Sequence, residues 1–169
     1  MPTSVTIEHG YGRVRRVRYW RGMRPACDAF GVHARVFDYD ANGFLARVSY
    51  HNADGQPSAS PDGITGKTYR RGAHGQWNEV ILWDAHGTPI CDWHGVARYI
   101  LSNDANGLVH SLRIFDANNI PTTNMLGMHC LEWQYDHARN IIGTRGYDAT
   151  NALIYDGPAL APELFERTW

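Results

Sequence analysis

The densest chemistry in the chain lies in Arg13-Val-Arg-Arg-Val-Arg-Tyr-Trp-Arg-Gly-Met-Arg24, which packs six arginines into twelve residues. Guanidinium groups beside an indole suit a phosphate, a carboxylate or a nucleic-acid backbone. Read as a strand, the segment turns Val17 and Tyr19 toward a core and Arg16 and Arg18 toward solvent, with Trp20 and Arg21 nearby. These four, together with Trp93, are the candidate binding residues. The competing reading is edge protection, in which charged side chains on a terminal strand keep another chain from adding to the sheet. The 169 residues carry a formal charge of -1 and repeat no second basic stripe, so edge protection is the better account and nucleic acid is not an expected partner.

Other residue sets reduce to simpler explanations. Cys91-Asp-Trp-His94 can be drawn as a thiol–imidazole pair. Ala26-Cys-Asp-Ala-Phe-Gly31, however, carries the same cysteine and aspartate without the histidine, so packing accounts for Cys27 and Cys91, and Cys130 reads as a small core residue. The nine histidines fall in scattered positions with no HExxH or HxH spacing. Asp38-Tyr-Asp-Ala-Asn-Gly43 follows the first half of a calcium loop, but Ser49 stands where a bidentate glutamate belongs, and a hairpin turn explains the same residues. No catalytic residue, metal or cofactor is assigned. Among the aromatics, Trp20, Trp83 and Trp93 are the candidates to stack on sugar rings.

The elements that would carry these groups follow from a repeat. Pro25, Pro57, Pro89 and Pro121 stand 32 residues apart, as do Gly31, Gly63, Gly95 and Gly127, and Gly43, Gly75 and Gly107. Val5, Phe37, Tyr69, Leu101 and Trp133 form an apolar column on the same period. Each unit holds two turn signals, such as Asp40-Ala-Asn-Gly43 and Ala53-Asp-Gly-Gln-Pro57. Between them run about eight residues of period 2: Ala46, Val48 and Tyr50 against Arg47 and Ser49, then Leu112 and Ile114 against Ser111 and Arg113. A hairpin followed by a connector of about ten residues, such as Ile90–Val96, is the expected unit.

The expected fold is therefore all-β, five tandem 32-residue β-hairpin repeats forming a twisted array, with a closed five-fold ring as the rival geometry. The single domain 1–169 divides into units 1–32, 33–64, 65–96, 97–128 and 129–160, with a capping tail 161–169 in which Phe165 would start a further apolar column. In the first unit Val14, Val17 and Tyr19 match Leu45, Val48 and Tyr50 only with a one-residue slip, and in the fifth Arg139 replaces the turn glycine and Leu153 the proline.

Gly31-Val-His-Ala-Arg-Val-Phe-Asp-Tyr-Asp-Ala-Asn-Gly43, followed by Tyr50-His-Asn-Ala-Asp-Gly-Gln-Pro57, resembles the bacterial YD-type tandem β-hairpin repeats related to RHS repeats. The resemblance covers most of residues 20–157, without the length, the encapsulating shell or the toxin tail of RHS proteins. It implies an architecture and a place in exported or surface proteins more than an activity. The functional expectation is a non-catalytic structural or protein-interaction module of a larger bacterial assembly, with other protein subunits as partners. A carbohydrate-binding module and a small enzyme around Cys91 and His94 are the alternatives. No apolar run reaches the roughly 20 residues of a membrane span, and the N-terminus lacks the pattern of a secretory signal, which leaves the compartment open between cytoplasm and leaderless export.

Overall fold

A computed structural model describes residues 1–72, 75–158 and 160. Twelve strands run in chain order: β1 Ser4–Gly10, β2 Arg13–Arg21, β3 Arg24–Pro25, β4 Ala34–Tyr39, β5 Leu45–His51, β6 Gly66–Arg71, β7 Trp77–Trp83, β8 Arg98–Asn103, β9 Val109–Phe115, β10 Cys130–Tyr135, β11 Ile141–Tyr147 and β12 Leu153–Gly157. They form one antiparallel sheet in the order β1-β2-β4-β5-β6-β7-β8-β9-β10-β11-β12, and β3 pairs with β2 beside that path. The sheet is open: β1 bonds only to β2 and β12 only to β11 among the described residues, so the five-fold ring is not formed. The capping tail 161–169, with Phe165, lies outside the described residues.

Each hairpin follows one plan. A long ladder joins its two strands, as in Ala34↔His51 through Asp38↔Arg47, and a one-residue bulge precedes the turn, at Tyr39↔Leu45. The bulge recurs at His9↔Val14, Arg71↔Trp77, Asn103↔Val109 and Tyr135↔Ile141. It moves Leu45, rather than Ala46, onto the face that packs with Val48, Tyr69 and Val80. Neighbouring hairpins join by shorter ladders of three rungs, such as Arg47↔Thr68 to Ser49↔Gly66.

The proline column occupies one environment. Pro57, Pro89 and Pro121 each make an isolated bridge, to His51, Trp83 and Phe115, and Pro25 faces Trp20 in the same way. A proline has no N–H to extend the ladder, so pairing stops there. Leu153 in the fifth unit restores that N–H, and β12 continues along β11 from Tyr147↔Leu153 to Thr144↔Gly157.

The connector is not irregular. It closes with a third turn of the same kind as the other two: the Asp92 N–H donates to the Val96 carbonyl at 2.9 Å and the Gly95 N–H to the Asp92 carbonyl at 2.9 Å. One Asp92 carboxylate oxygen accepts the His94 and Val96 amides at 2.9 and 3.1 Å. Equivalent turns start at Asp28, Ser60 and Asn124. Their last residues, Val32, Ile64, Val96 and Met128, are all buried, and Val96 and Met128 pack with Leu112, Ile114, Leu131 and Trp133. The sheet therefore has its second layer in its own connectors, and each turn residue removes apolar surface of two hairpins from water.

The first hairpin departs from the expected column. Ile7, not Val5, pairs with Val17 as Phe37 pairs with Val48 and Tyr69 with Val80. Its reversal is a tight Tyr11-Gly12 turn with both residues at positive φ, which shortens the path between partners by one residue and shifts the register. Val5 instead pairs with Tyr19, two rungs along the face, and is half exposed.

Candidate functional site

The arginine-rich strand does not assemble into one platform. β2 is not a terminal strand: β1 covers one side and β4 pairs along Arg16–Arg18 on the other, so protection of an outer edge is not its role. Arg16 and Arg18 do lie together opposite the core face, where both meet the Glu8 carboxylate, Arg16 at 3.9 Å. They line a groove of about 270 Å³ with His33, His51 and Asp54. Arg21 bends away and donates to the Met1 carbonyl at 3.0 and 3.1 Å. Arg13 and Arg15 reach the Tyr39 ring at 5.5 and 5.8 Å. Trp20 packs at right angles to the buried His33 ring, 5.4 Å between centroids.

Trp93 stands elsewhere. Two-thirds exposed at the tip of the third turn, it presses against the His94 ring with centroids 3.4 Å apart, while Cys91 is half-buried at the start of that connector. Asp40, in the calcium-like segment, uses one carboxylate oxygen to accept the Asn42 and Phe44 amides at 3.0 and 2.8 Å, which is turn bracing.

Trp93 brings with it a cleft that the sequence did not single out. The cleft, about 110 Å³, lies where the connector turns of the first three units meet the core face of β4 to β8. Its floor is Ile64, Val80 and Leu82, its rim carries Phe30 and Trp93, and its polar lining is Arg35, Lys67, Ser60, Asp62, Asp92, Tyr50 and Tyr99. The strand period explains why two cations face inward. Arg35, Lys67, Tyr99 and Leu131 occupy one rung in four successive hairpins, paired with Tyr50, Leu82, Ile114 and Gly146. That rung is two residues from Phe37, Tyr69, Leu101 and Trp133 and so shares their face. Lys67, the only lysine in the chain, was legible in principle as a charged residue in a core-facing column.

The electrostatics reflect burial. Desolvation, reinforced by the Arg35 charge and opposed by Asp92, holds the Lys67 ammonium down to a pKa of about 8. Burial pushes the Tyr99 phenol up, and Asp92, which accepts its hydroxyl at 3.0 Å, adds to the effect. Burial also raises Tyr50, against the pull of Arg35.

The turns repeat a contact seven residues long. Asp28 uses one oxygen to accept the Phe30 and Val32 amides and the other to pair with Arg35 at 2.6 Å. Asp92 does the same with its turn amides and Tyr99. Between them, the second unit offers Ser60 opposite Lys67. The Ser60 hydroxyl is buried and, with the Arg35 Nε, has no hydrogen-bond partner among the described residues. No protein-family model matches the chain, and no curated protein matches it in sequence.

Proposed function

We propose that the chain is a non-catalytic, YD-type repeat module that joins a larger bacterial assembly by binding another protein along its row of connector turns. The observation that carries this reading is a set of exposed apolar side chains on the connector turns. Phe30, Trp93, Met125 and Leu126 all lie at the tips of third turns, each between 52% and 76% exposed, at positions fixed by the 32-residue period. Apolar tips held at regular intervals on a rigid sheet give a partner a ready-made surface, with little chain entropy lost on binding. Capturing proteins from a native extract with the wild-type chain and with a Trp93→Ala/Met125→Ala/Leu126→Ala variant tests it. A subunit retained by the first and lost with the second is the expected result. Equal recovery by both overturns the reading.

A second reading, carbohydrate binding, is favoured by Trp93 alone, an exposed indole at the rim of a polar cleft. Titration of the tryptophan fluorescence with sugars decides it, and an unchanged spectrum across a glycan panel sets it aside.

A further inference from the structure

We propose that the cleft beneath the second connector turn binds a small carboxylic acid with an apolar body, whose carboxylate takes the place that an aspartate side chain holds in the neighbouring turns. The proposal does not depend on a protein partner. In the turns at Asp28, Asp92 and Asn124, a side-chain oxygen accepts the amides two and four residues on. At Ser60 the hydroxyl, a weaker brace than a carboxylate or amide oxygen, makes no such bond, and among the described residues no side-chain oxygen accepts the Asp62 or Ile64 amide.

The turn itself is intact, with Ser60 N–H to the Ile64 carbonyl at 2.8 Å and Gly63 N–H to the Ser60 carbonyl at 2.9 Å. What is missing is the carboxylate, and its surroundings remain. The Ser60 hydroxyl and the Arg35 Nε–H, on two residues that line the cleft, have no hydrogen-bond partner among the described residues, and the Asp62 and Ile64 amides lack the side-chain brace of the sister turns. Lys67 stands seven residues on, where Asp28 meets Arg35 and Asp92 meets Tyr99. A carboxylate accepting several such bonds is held by charge-assisted contacts in a partly desolvated site.

The rest of the cleft defines the remainder of the ligand. A volume of about 110 Å³ over Ile64, Val80 and Leu82, rimmed by Phe30 and Trp93, accommodates one ring or a short aliphatic body. Asp92 opposes the anion through its charge, which also acts on Lys67 and Tyr99, although both its oxygens already accept hydrogen bonds. Asp62 is a second carboxylate at the cleft, and the two tune the affinity downward.

Calorimetric titration of the full chain with phenylacetate, and with phenylacetamide as its uncharged counterpart, tests the proposal. Phenylacetate is expected to bind at least tenfold more tightly than the amide. Ser60→Asp supplies the missing carboxylate from within and is expected to abolish phenylacetate binding while melting no lower than wild type, so lost binding is not lost folding. Asp62→Asn is expected to tighten binding severalfold. Equal binding of acid and amide, no binding of either, or undiminished binding by Ser60→Asp overturns the proposal.

Discussion

The first hairpin and the fourth are built from the same pattern and end in different states. In β1 and β2, Val5 and Ile7 are half exposed, and beyond the backbone ladder the strands carry exposed ion pairs of Glu8 with Arg16 and Arg18. In β8 to β10, Leu112, Ile114, Leu131 and Trp133 are almost wholly buried beneath Val96 and Met128. The difference is not in the strands, which alternate equally well. An inner hairpin receives a connector turn from the unit before it and another from its own, whereas among the described residues no connector turn precedes the first hairpin. Stability in this fold is a property of the joints between units, and a terminal unit has fewer joints.

Variants that act unequally on the two regions put this contrast at risk. Trp133→Ala opens a cavity in the covered region and is expected to lower unfolding free energy by about 3–5 kcal/mol, against about 1 kcal/mol for Ile7→Ala. Urea titration of both reads the ratio, and equal losses would remove the contrast. The ion pairs should divide likewise. Glu79 is buried against Arg98, with Arg70 at 3.0 Å. Removing it in Glu79→Ala leaves a partly buried guanidinium and should cost about 3 kcal/mol. Glu8→Ala, at the exposed pairs of the first hairpin, should cost less than about 1 kcal/mol by the same titration.

The covered region also carries a pH signature. Lys67 has a folded pKa of about 8 against 10.5 for the free side chain, so between these values the unfolded chain binds more protons than the folded one. Stability from this group is full above about pH 10.5 and falls as pH drops toward 8, by at most about 1.4 kcal/mol per pH unit. Tyr69, whose phenol burial raises from 10.0, works in the opposite direction above pH 10, so the window to measure is pH 8 to 10. Thermal melts across it should rise with pH in wild type and more weakly in Lys67→Met. A slope unchanged by the substitution would place Lys67 in water and not under the connectors.

The smallest effects belong to the turns, which are shared by both regions. Gly107 sits at φ 81° with open space around its missing Cβ, so Gly107→Ala should cost about 1 kcal/mol through backbone strain alone. Arg139 holds the equivalent place at φ 68°, and Arg139→Gly should stabilise by roughly 0.5 kcal/mol, because the strain relieved exceeds the entropy glycine adds to the unfolded chain. Melting temperatures of the pair check both signs.

Much of the fold was legible because its signals are local. Asp40, Asp104 and Asp116 brace their turns with amides two and four residues away, so the sequence around each is sufficient to set it. The slip that aligns Val17 with Val48 was visible for the same reason, but its consequence for β1, that Ile7 replaces Val5, depended on the two-residue reversal at Tyr11-Gly12. The connector turns were harder. Their glycine column was plain, but they carry no alternation, and nothing in the chain announces that Val32, Ile64, Val96 and Met128 fold back over the sheet. The arginine segment misled because charge density along a strand does not say which neighbours lie beside it.

The sequence by itself determined the unit, a braced hairpin repeated every 32 residues with proline at the end of its ladder, since each of those features is completed within one unit. The tertiary structure alone decided that the sheet stays open, that β2 is an inner strand, and that Ser60, Lys67 and Arg35 share a cleft with Trp93. Those outcomes depend on contacts between units, where the gain comes from apolar surface covered by a neighbour, and local spacing does not encode which neighbour will cover it.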